Sequence, residues 1–222
     1  MNHAYHVRYA PMALPLVFTS LFFLHSILNP TRSDAHTAAE AAEGAPDSSE
    51  TDAVLDLNLE TLLQQPHRLP ALPPEQLDSE TLWLARCIFS ETKRPHEQEL
   101  IAWVVRNRVE TAYRGKTTYR EVVLDPYQFS AFNPGSPKRA FYTSLGLTSS
   151  MPGWQRALSI AHHVRHAPDS LRPFPLETRH FYSERSMPEQ TSPAWAVGLH
   201  PVAPARLHPV DTRRFRFFAD VT

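Results

Sequence analysis

Cysteine and glycine are both scarce in this chain. The sequence contains one cysteine, Cys87, so it forms no internal disulfide, and cysteine usage does not indicate a redox compartment. Because Cys87 stands among apolar residues in a predicted helix, we expect a small buried side chain rather than a nucleophile. Only 6 of the 222 residues are glycine, and no glycine-rich loop of the kind that cradles a phosphate is present.

A metalloprotease histidine motif is also missing. His162, His163 and His166 fall on one predicted helix, where i, i+4 spacing can place two imidazoles on the same side. No glutamate stands beside them in the metalloprotease arrangement. We therefore expect a solvated helix face and no metal or organic cofactor. A zinc amidase built from this row together with His180 is kept as an alternative.

The charge is distributed unevenly along the chain. Residues 1–78 carry 3 Lys and Arg against 10 Asp and Glu, whereas residues 79–222 carry 19 against 13. A basic domain behind an acidic segment suits an anionic polymer such as cell-wall glycan with its peptide carboxylates and any attached phosphates. Nucleic acid is not expected, because most arginines are scattered and the only dense run is Arg213, Arg214 and Arg216.

The N-terminal segment has the character of an export signal. Its densest apolar stretch, 14–24, is about as long as a signal-peptide core and shorter than the roughly twenty residues of a membrane span. Pro11 and Pro15 also weaken a continuous membrane helix. We predict a signal peptide or N-terminal anchor over 1–35, with cleavage favoured. The protein is then exported to the periplasm, cell wall or extracellular space, and it touches a membrane only through an uncleaved leader.

Residues 36–78 are predicted to be a flexible spacer, first acidic and then proline-rich. The acidic part has almost no large apolar side chains, so burial cannot offset the entropy of ordering it. The residues at 54–63 are compatible with a short helix. The prolines that follow favour extended backbone up to the start of a folded domain at 79–222; they are Pro66, Pro70, Pro73 and Pro74.

Helical periodicity dominates the folded domain. Apolar spacing and capping residues predict four helices and two short strands. The helices are expected at 79–92 with Asp78 or Ser79 as N-cap, 96–110, 118–124 capped by Thr118, and 152–166 with Pro152 in its first turn; the strands are expected at 179–183 and 214–218. The fold class is therefore α+β, mainly α, with a small sheet or hairpin.

Glu91 is the strongest candidate for a chemical role. It continues the apolar stripe of Leu84 and Ile88 and stands in the last turn of its predicted helix. Burial among apolar side chains and the negative end of the helix dipole both raise the pKa of a carboxylic acid, as a general acid requires near neutral pH. A glutamate at a fraying helix end that turns to water is the alternative.

Asn107 shares a helix face with Leu100 and Val104, so its amide should point inward and find partners there. It is interpreted either as a buried amide that joins two helices or as a residue that holds Glu91 or a sugar.

Further polar side chains stand in positions that suit a binding cleft. Gln128 and Ser130 flank Phe129 in a polar loop, and this trio can supply hydrogen-bonding groups beside an aromatic platform. His180 and Tyr182 alternate along a predicted strand, so they should share one face. A half-exposed strand edge is the simpler explanation for that pair.

Several short segments occur in the order found in one family. They are Leu84-Ala85-Arg86 with Ser90-Glu91, Ala102 to Val105 with Asn107-Arg108-Val109, Tyr119 to Val123 with Gln128-Phe129-Ser130, and His180-Phe181-Tyr182 with Pro193-Ala194-Trp195-Ala196 and the closing Arg-Phe strand. Over about 80–218 the chain resembles the cell-wall hydrolase family typified by spore-cortex-lytic enzymes of the SleB type.

The resemblance implies a lysozyme-like fold related to lytic transglycosylases. One glutamate, matched here by Glu91, would protonate the glycosidic oxygen between N-acetylmuramic acid and N-acetylglucosamine. Gln128, Ser130, His180 and Tyr182 match motif positions. From their polarity and order along the chain we place them in the cleft, and we expect them, together with Asn107, to bind substrate. Lys93-Arg94-Pro95 replaces the glycine-containing turn usual after the glutamate, and Leu124 stands where many relatives have cysteine.

A single carboxylate must then perform both proton transfers, because no second acidic residue is marked out in the same way. Attack by the muramic acid C6 hydroxyl would give a 1,6-anhydro sugar, and attack by water would give plain hydrolysis. Both routes stay open. We expect a monomer acting on peptidoglycan glycan strands; a non-catalytic glycan-binding module of the same fold is the leading alternative.

Overall fold

A computed structural model describes residues 60–187, 189, 191–205 and 211–221. The predicted leader over 1–35 and the first part of the predicted spacer therefore lie outside the described residues. Among the described residues, no helix is both long enough and apolar enough to cross a membrane.

Five helices follow residues 60–64, which are also helical. They are α1 (Ser79–Glu91), α2 (Pro95–Glu110), α3 (Tyr119–Leu124), α4 (Arg139–Ser144) and α5 (Trp154–His166). The four predicted helices are confirmed within two residues at each end. Helix α4 was not predicted, because it has no fully buried residue and therefore no apolar periodicity for the sequence to display.

Side-chain caps set the starts of two helices. Asp78 accepts a hydrogen bond from the Thr81 backbone N–H at 2.7 Å, which confirms it as the N-cap of α1. Thr118 and Glu121 form a reciprocal capping box at the start of α3, as the sequence predicts for Thr118. The start of α5 differs from the prediction: the N-cap is Gly153 in the left-handed region, with φ of 79°, so Pro152 precedes the helix.

Helix α2 is the centre of the domain. It packs against α1, α3 and α5, while α1 packs against α3 and α5. Residues 97–105 of α2 are buried around the whole helix, and Trp103 has 0% exposure. The sequence predicts a single apolar face here. The structure instead covers the helix on nearly every side, and polar groups such as Glu99 are satisfied internally, by the Trp103 indole N–H at 2.5 Å.

Residues 60–78 contribute to the core, contrary to the flexible spacer predicted for this stretch. Leu63, Leu69 and Leu77 are buried in the main hydrophobic cluster, with 0%, 4% and 8% exposure. The Pro70 carbonyl accepts a hydrogen bond from the Ser159 hydroxyl of α5 at 2.5 Å. The apolar residues of 60–78, which we call the arm, are too widely spaced to produce a periodic signal in the sequence. In the structure each of these leucines packs in the core formed by the later helices.

A two-stranded antiparallel sheet completes the described part of the chain. Strand β1 (His180–Tyr182) pairs with β2 (Arg216–Phe218), with Phe181 opposite Phe217. Both strands were predicted, although each is shorter than expected. Phe181 and Phe217 pack on the main core, whereas Tyr182 and Phe218 belong to a second, smaller apolar cluster. The α+β, mainly α class is therefore confirmed.

Candidate active site

Glu91 is the last residue of α1, one turn beyond the fully buried Ile88. The residue is half-buried, and burial raises the pKa of its carboxyl to about 7, against the opposing effects of Arg108, Lys138 and a hydrogen bond with the Ser90 side chain. The sequence-based expectation of a raised pKa is confirmed. Near neutral pH this carboxyl therefore populates both protonation states, as a group that must donate and then accept a proton requires.

The turn after Glu91 is held firmly. The Thr92 backbone N–H bonds to the Ile88 carbonyl at 3.2 Å, and the Thr92 hydroxyl donates to Glu97 at 2.5 Å. Glu97 also accepts two hydrogen bonds from Arg214, at 2.5 and 3.0 Å. This buried network fixes the link between α1 and α2, so the end of α1 is a defined position rather than a fraying terminus.

Arg108 is the central residue of the site, and the sequence analysis did not select it. It is buried on α2, with 4% exposure. Its Nε donates to the Arg179 carbonyl at 2.6 Å, and its guanidinium carbon lies 5.2 Å from the Phe129 ring centroid and 5.5 Å from that of Tyr113. Burial lowers its pKa to about 10, while the acidic groups around it, including Glu91, act in the opposite direction.

The sequence did contain a signal for Arg108. It stands four residues after Val104 and eight after Leu100, so it continues the apolar stripe of α2 as Glu91 continues the stripe of α1. A charge on an apolar stripe must find a buried partner. Each helix has one such charge, a negative one on α1 and a positive one on α2, so the sequence indicates that Glu91 and Arg108 influence each other.

His180 lies between two aromatic rings. Its Nε2 is 2.9 Å from the Tyr113 hydroxyl, and its ring centroid is 5.2 Å from that of Tyr113 and 5.3 Å from that of Trp195. Burial, followed by the charges of Arg108 and Arg179, lowers the pKa of His180 to about 4, so the imidazole is neutral near pH 7. Its Nδ1 is buried without a hydrogen-bond partner in the described part of the chain.

Tyr182 shares a face of β1 with His180, as the sequence predicts. The ring of Trp195 contacts both side chains, with centroids 5.3 Å from His180 and 5.8 Å from Tyr182. The Tyr182 hydroxyl is 2.9 Å from the Ser192 hydroxyl. Both strand residues are buried, so the alternative of a half-exposed strand edge does not describe them.

The loop before α4 holds Gln128 and Ser130, but its aromatic platform is not Phe129. Gln128 is half-buried and Ser130 is exposed. Phe129 is only 1% exposed and packs beneath Arg108, whereas Tyr127 is 81% exposed. Tyr127 has a left-handed backbone with φ of 65°, and its N–H donates to the Asn133 side chain at 2.9 Å. The exposed aromatic ring of this loop is therefore Tyr127.

Asn107 is fully buried, and all three of its side-chain hydrogen bonds are internal. Its Nδ2 donates to the Pro175 carbonyl at 3.1 Å and to the Thr178 carbonyl at 2.9 Å, and its Oδ1 accepts from Arg172. Both amide hydrogens are used, so none is free for a sugar. Asn107 joins α2 to the segment that leads into β1, which includes the position of His180; it does not join α2 to α1.

Arg108 links three of the segments that carry the predicted site residues. Its charge acts on Glu91, its guanidinium packs on Phe129 between Gln128 and Ser130, and its Nε binds the carbonyl of Arg179, which precedes His180. Tyr182 is joined to this group through Trp195, and Asn107 lies behind it as a support.

The histidine row is separate from this group. His163 and His166 bond through Nδ1 to backbone carbonyls of α5, and the rings of His162 and His166 lie 4.3 Å apart. His162 and His163 are half-buried rather than solvated. Within the residues that the structure describes, no group of three or more His, Cys, Asp or Glu side chains is arranged to hold a metal ion. Cys87 is buried, as predicted.

Two arginines of the C-terminal run are paired within the fold. Arg214 binds Glu97 at 2.5 Å, and Arg216 binds Glu184 at 2.5 Å. Their charges are therefore used to join β2 and its flank to the rest of the domain.

Comparison of the chain with protein-family models, with curated proteins and with solved structures gives no match. The class that the fold and the site define is a mainly helical domain in which a half-buried glutamic acid with a pKa of about 7 lies near a buried arginine.

Proposed function

We propose that this protein is a peptidoglycan glycosidase that cleaves the bond between N-acetylmuramic acid and N-acetylglucosamine, with Glu91 as its general acid and base. The observation that carries the proposal is the placement of the Glu91 carboxyl at a fixed helix end, where burial raises its pKa to about 7. The ordered segments that resemble the SleB-type family support the same reaction and a lysozyme-like arrangement of the helices.

Glu91 acts twice in the proposed reaction. In its protonated form it donates to the glycosidic oxygen, so that the bond to the muramic acid C1 breaks with the electron pair leaving on that oxygen. The resulting carboxylate then accepts the proton of the attacking hydroxyl. If the muramic acid C6 hydroxyl attacks, the product carries a 1,6-anhydro ring; if water attacks, the product carries a reducing end.

Arg108 sets the balance between the protonated and the ionised form of Glu91. Its buried charge stabilises the carboxylate of Glu91 and so limits the rise in pKa that burial causes. A carboxyl with a much higher pKa would donate its proton poorly. Arg108 is a positioning residue in this scheme, because it acts through Glu91.

One carboxyl is enough for this chemistry. Asp125, a carboxylate whose charge also acts on Arg108, is buried and bonded to Arg114 Nε at 2.6 Å. A carboxylate held by an arginine is poorly placed to attack a sugar carbon, which supports substrate-assisted or water-mediated capture rather than a covalent intermediate.

Binding of the glycan is assigned to the groups around Arg108 that retain hydrogen-bonding capacity. Gln128 and Ser130 offer an amide and a hydroxyl, each suited to an N-acetyl group or a sugar hydroxyl. The Nδ1 of the neutral His180 has no hydrogen-bond partner but is covered in the described structure, so it would bind a substrate group only after the side chains over it move. Tyr127 provides an exposed ring on which a sugar can pack. Asn107 and Tyr182 contribute by fixing the segments that carry these groups.

The cellular setting follows from the substrate. A wall glycan lies outside the cytoplasm, which agrees with the export signal proposed for 1–35. The protein would act as a monomer on glycan strands, without a cofactor.

The decisive experiment compares wild type with Glu91→Gln on purified peptidoglycan. Wild type should release soluble muropeptides, and mass spectrometry of the products should give anhydro or reducing ends. Glu91→Gln should sediment with the wall and release nothing. Turnover by this variant would remove the assignment of Glu91. Binding without turnover by wild type would instead support the second candidate, a non-catalytic glycan-binding module of the same fold.

A further inference from the structure

Lysine is rare in this chain and is concentrated near Glu91. The sequence has three lysines, Lys93, Lys116 and Lys138, among 22 basic residues. Lys93 follows Glu91 by two residues, and Lys138 acts on the Glu91 carboxyl through space. Two of the three lysines therefore border the candidate active site.

Lys93 is held against aromatic rings by a fixed set of contacts. Its Nζ lies 3.2 Å from the Phe89 ring centroid and 5.4 Å from that of Tyr142, and it donates to the Phe89 carbonyl at the end of α1. An ammonium has three donors, so this geometry leaves hydrogens for another acceptor. The residue as a whole remains exposed to solvent.

Lys138 lies on the same side of the site. It is the exposed N-cap of α4, and the Tyr142 N–H bonds to its carbonyl at 3.1 Å. Residues at i and i+4 of a helix are neighbours on one face. Tyr142 thus stands between the two lysines: its ring is beside Lys93, it is one helical turn from Lys138, and its hydroxyl responds to the charge of Glu91.

Neither lysine lies within ion-pair distance of a carboxylate among the residues that the structure describes. Nearby arginines contrast with them, because Arg114 binds Asp125 at 2.6 Å and Arg94 approaches Glu97 at 3.6 Å. Arg108 likewise has no carboxylate within ion-pair distance in this part of the chain. The surroundings of Glu91 therefore hold more positive than negative charge, with the two lysines exposed and Arg108 buried.

We propose that Lys93 and Lys138 form a subsite for a carboxylate of the substrate, carried by the peptide attached to the sugar beside the scissile bond. This inference rests on the proposed glycosidase function and adds its substrate class: an acidic, peptide-bearing glycan is preferred over a neutral N-acetylglucosamine polymer. Lysine suits this task, because a compact ammonium on a long flexible stem can follow a carboxylate whose position varies between wall fragments.

The test uses the full chain, soluble peptidoglycan fragments and the same fragments after amidation of their carboxylates. Each of Lys93→Gln and Lys138→Gln should raise KM for the native fragments about three- to fivefold, as expected for one exposed ion pair, and the double variant about tenfold or more. Measurements at pH 5.5 keep Glu91 protonated, so kcat should change less than twofold. KM for amidated fragments should be the same for wild type and all variants.

Three controls separate binding from folding. Lys116→Gln removes the remaining lysine, whose charge acts on Glu121, and should leave KM unchanged. Lys93→Arg and Lys138→Arg keep a cation and should restore most of the affinity. Thermal unfolding shows whether the loss of the Lys93 contact at the end of α1 destabilises the fold.

The outcomes separate this inference from the function on which it rests. If wild type releases no muropeptides from either substrate, the glycosidase proposal fails. If wild type is active but amidation leaves its KM unchanged, or the double variant binds native fragments as tightly as wild type, the carboxylate subsite is overturned and the glycosidase proposal stands.

Discussion

The buried guanidinium of Arg108 and the carboxyl of Glu91 act on each other's ionisation across the interface between α1 and α2. Each favours the charged form of the other, and burial disfavours both charged forms. The two groups are not joined by a hydrogen bond in the described structure. Arg108 therefore favours the ionised form of the Glu91 carboxyl through its charge alone. This arrangement gives a specific expectation for Arg108 variants.

Arg108→Met should raise the pKa of Glu91 above its value of about 7, because the largest opposing charge is removed while burial remains. The alkaline limb of the rate profile for muropeptide release should therefore move to higher pH. A pH series for wild type and variant measures the shift. Arg106→Met, on the other side of α2 where it pairs with Glu110 and Asp169, should leave the limb in place. An unmoved limb in Arg108→Met would show that the two groups are uncoupled.

Wild-type activity should itself depend on the Glu91 proton. With a pKa of about 7, the protonated fraction falls about tenfold per pH unit well above that value, so kcat should fall in the same proportion between pH 8 and pH 9. Initial rates on purified peptidoglycan in constant ionic strength check this. A flat profile across that range would exclude Glu91 as the acid.

Glu91→Gln should make the protein more stable at neutral pH. The pKa of Glu91 is 4.5 when exposed and about 7 in the fold, so between these values the folded state retains a proton that the unfolded state has lost. Stability of wild type therefore falls as pH rises through this window. The Gln variant lacks this loss and should be more stable by about 1–3 kcal/mol at pH 8, allowing for partial solvent access.

Urea unfolding of both proteins at pH 4 and pH 8 measures that difference. Wild type and the Gln variant should have similar stability at pH 4, which lies below the pKa of Glu91 in both the folded and the unfolded state. An advantage of the Gln variant that is equal at both pH values would mean that the carboxyl is not perturbed by the fold.

His180→Phe should impair substrate use while keeping most of the packing between Tyr113 and Trp195. The variant loses Nδ1 and its hydrogen-bonding capacity, so kcat/KM should fall about tenfold. Tyr113→Phe serves as a comparison, because it removes only the partner of Nε2 and should have the smaller effect. Equal activity of His180→Phe and wild type would remove His180 from the substrate contacts.

Asn107→Ala should destabilise the fold by about 2–4 kcal/mol, because it leaves the Pro175 and Thr178 carbonyls and the Arg172 guanidinium without their buried partner. Thr118→Ala, which removes one helix cap, should cost about 1 kcal/mol. Chemical denaturation compares the two. Equal losses would contradict a central role for Asn107 in holding the segment before β1.

The sequence predicted the elements that have a local signal. Asp78 and Thr118 were recognised as caps, and the position of Glu91 on an apolar stripe predicted its raised pKa. The arm at 60–78 was not recognised, because Leu63 is buried by helices that are distant in sequence. Helix α4 was missed for lack of a buried face, and Phe129 was taken for an exposed platform because the loop around it is polar. Tertiary packing decides each of these positions.

The burial of Leu63, Leu69 and Leu77 also sets a minimum length for any working fragment of the protein. A recombinant chain that begins at Ser79 would lack these three leucines. The apolar surface that they cover on the helices would then be exposed to water, and the protein would be prone to aggregate. The shortest useful truncation therefore retains Leu63 and all the residues that follow it.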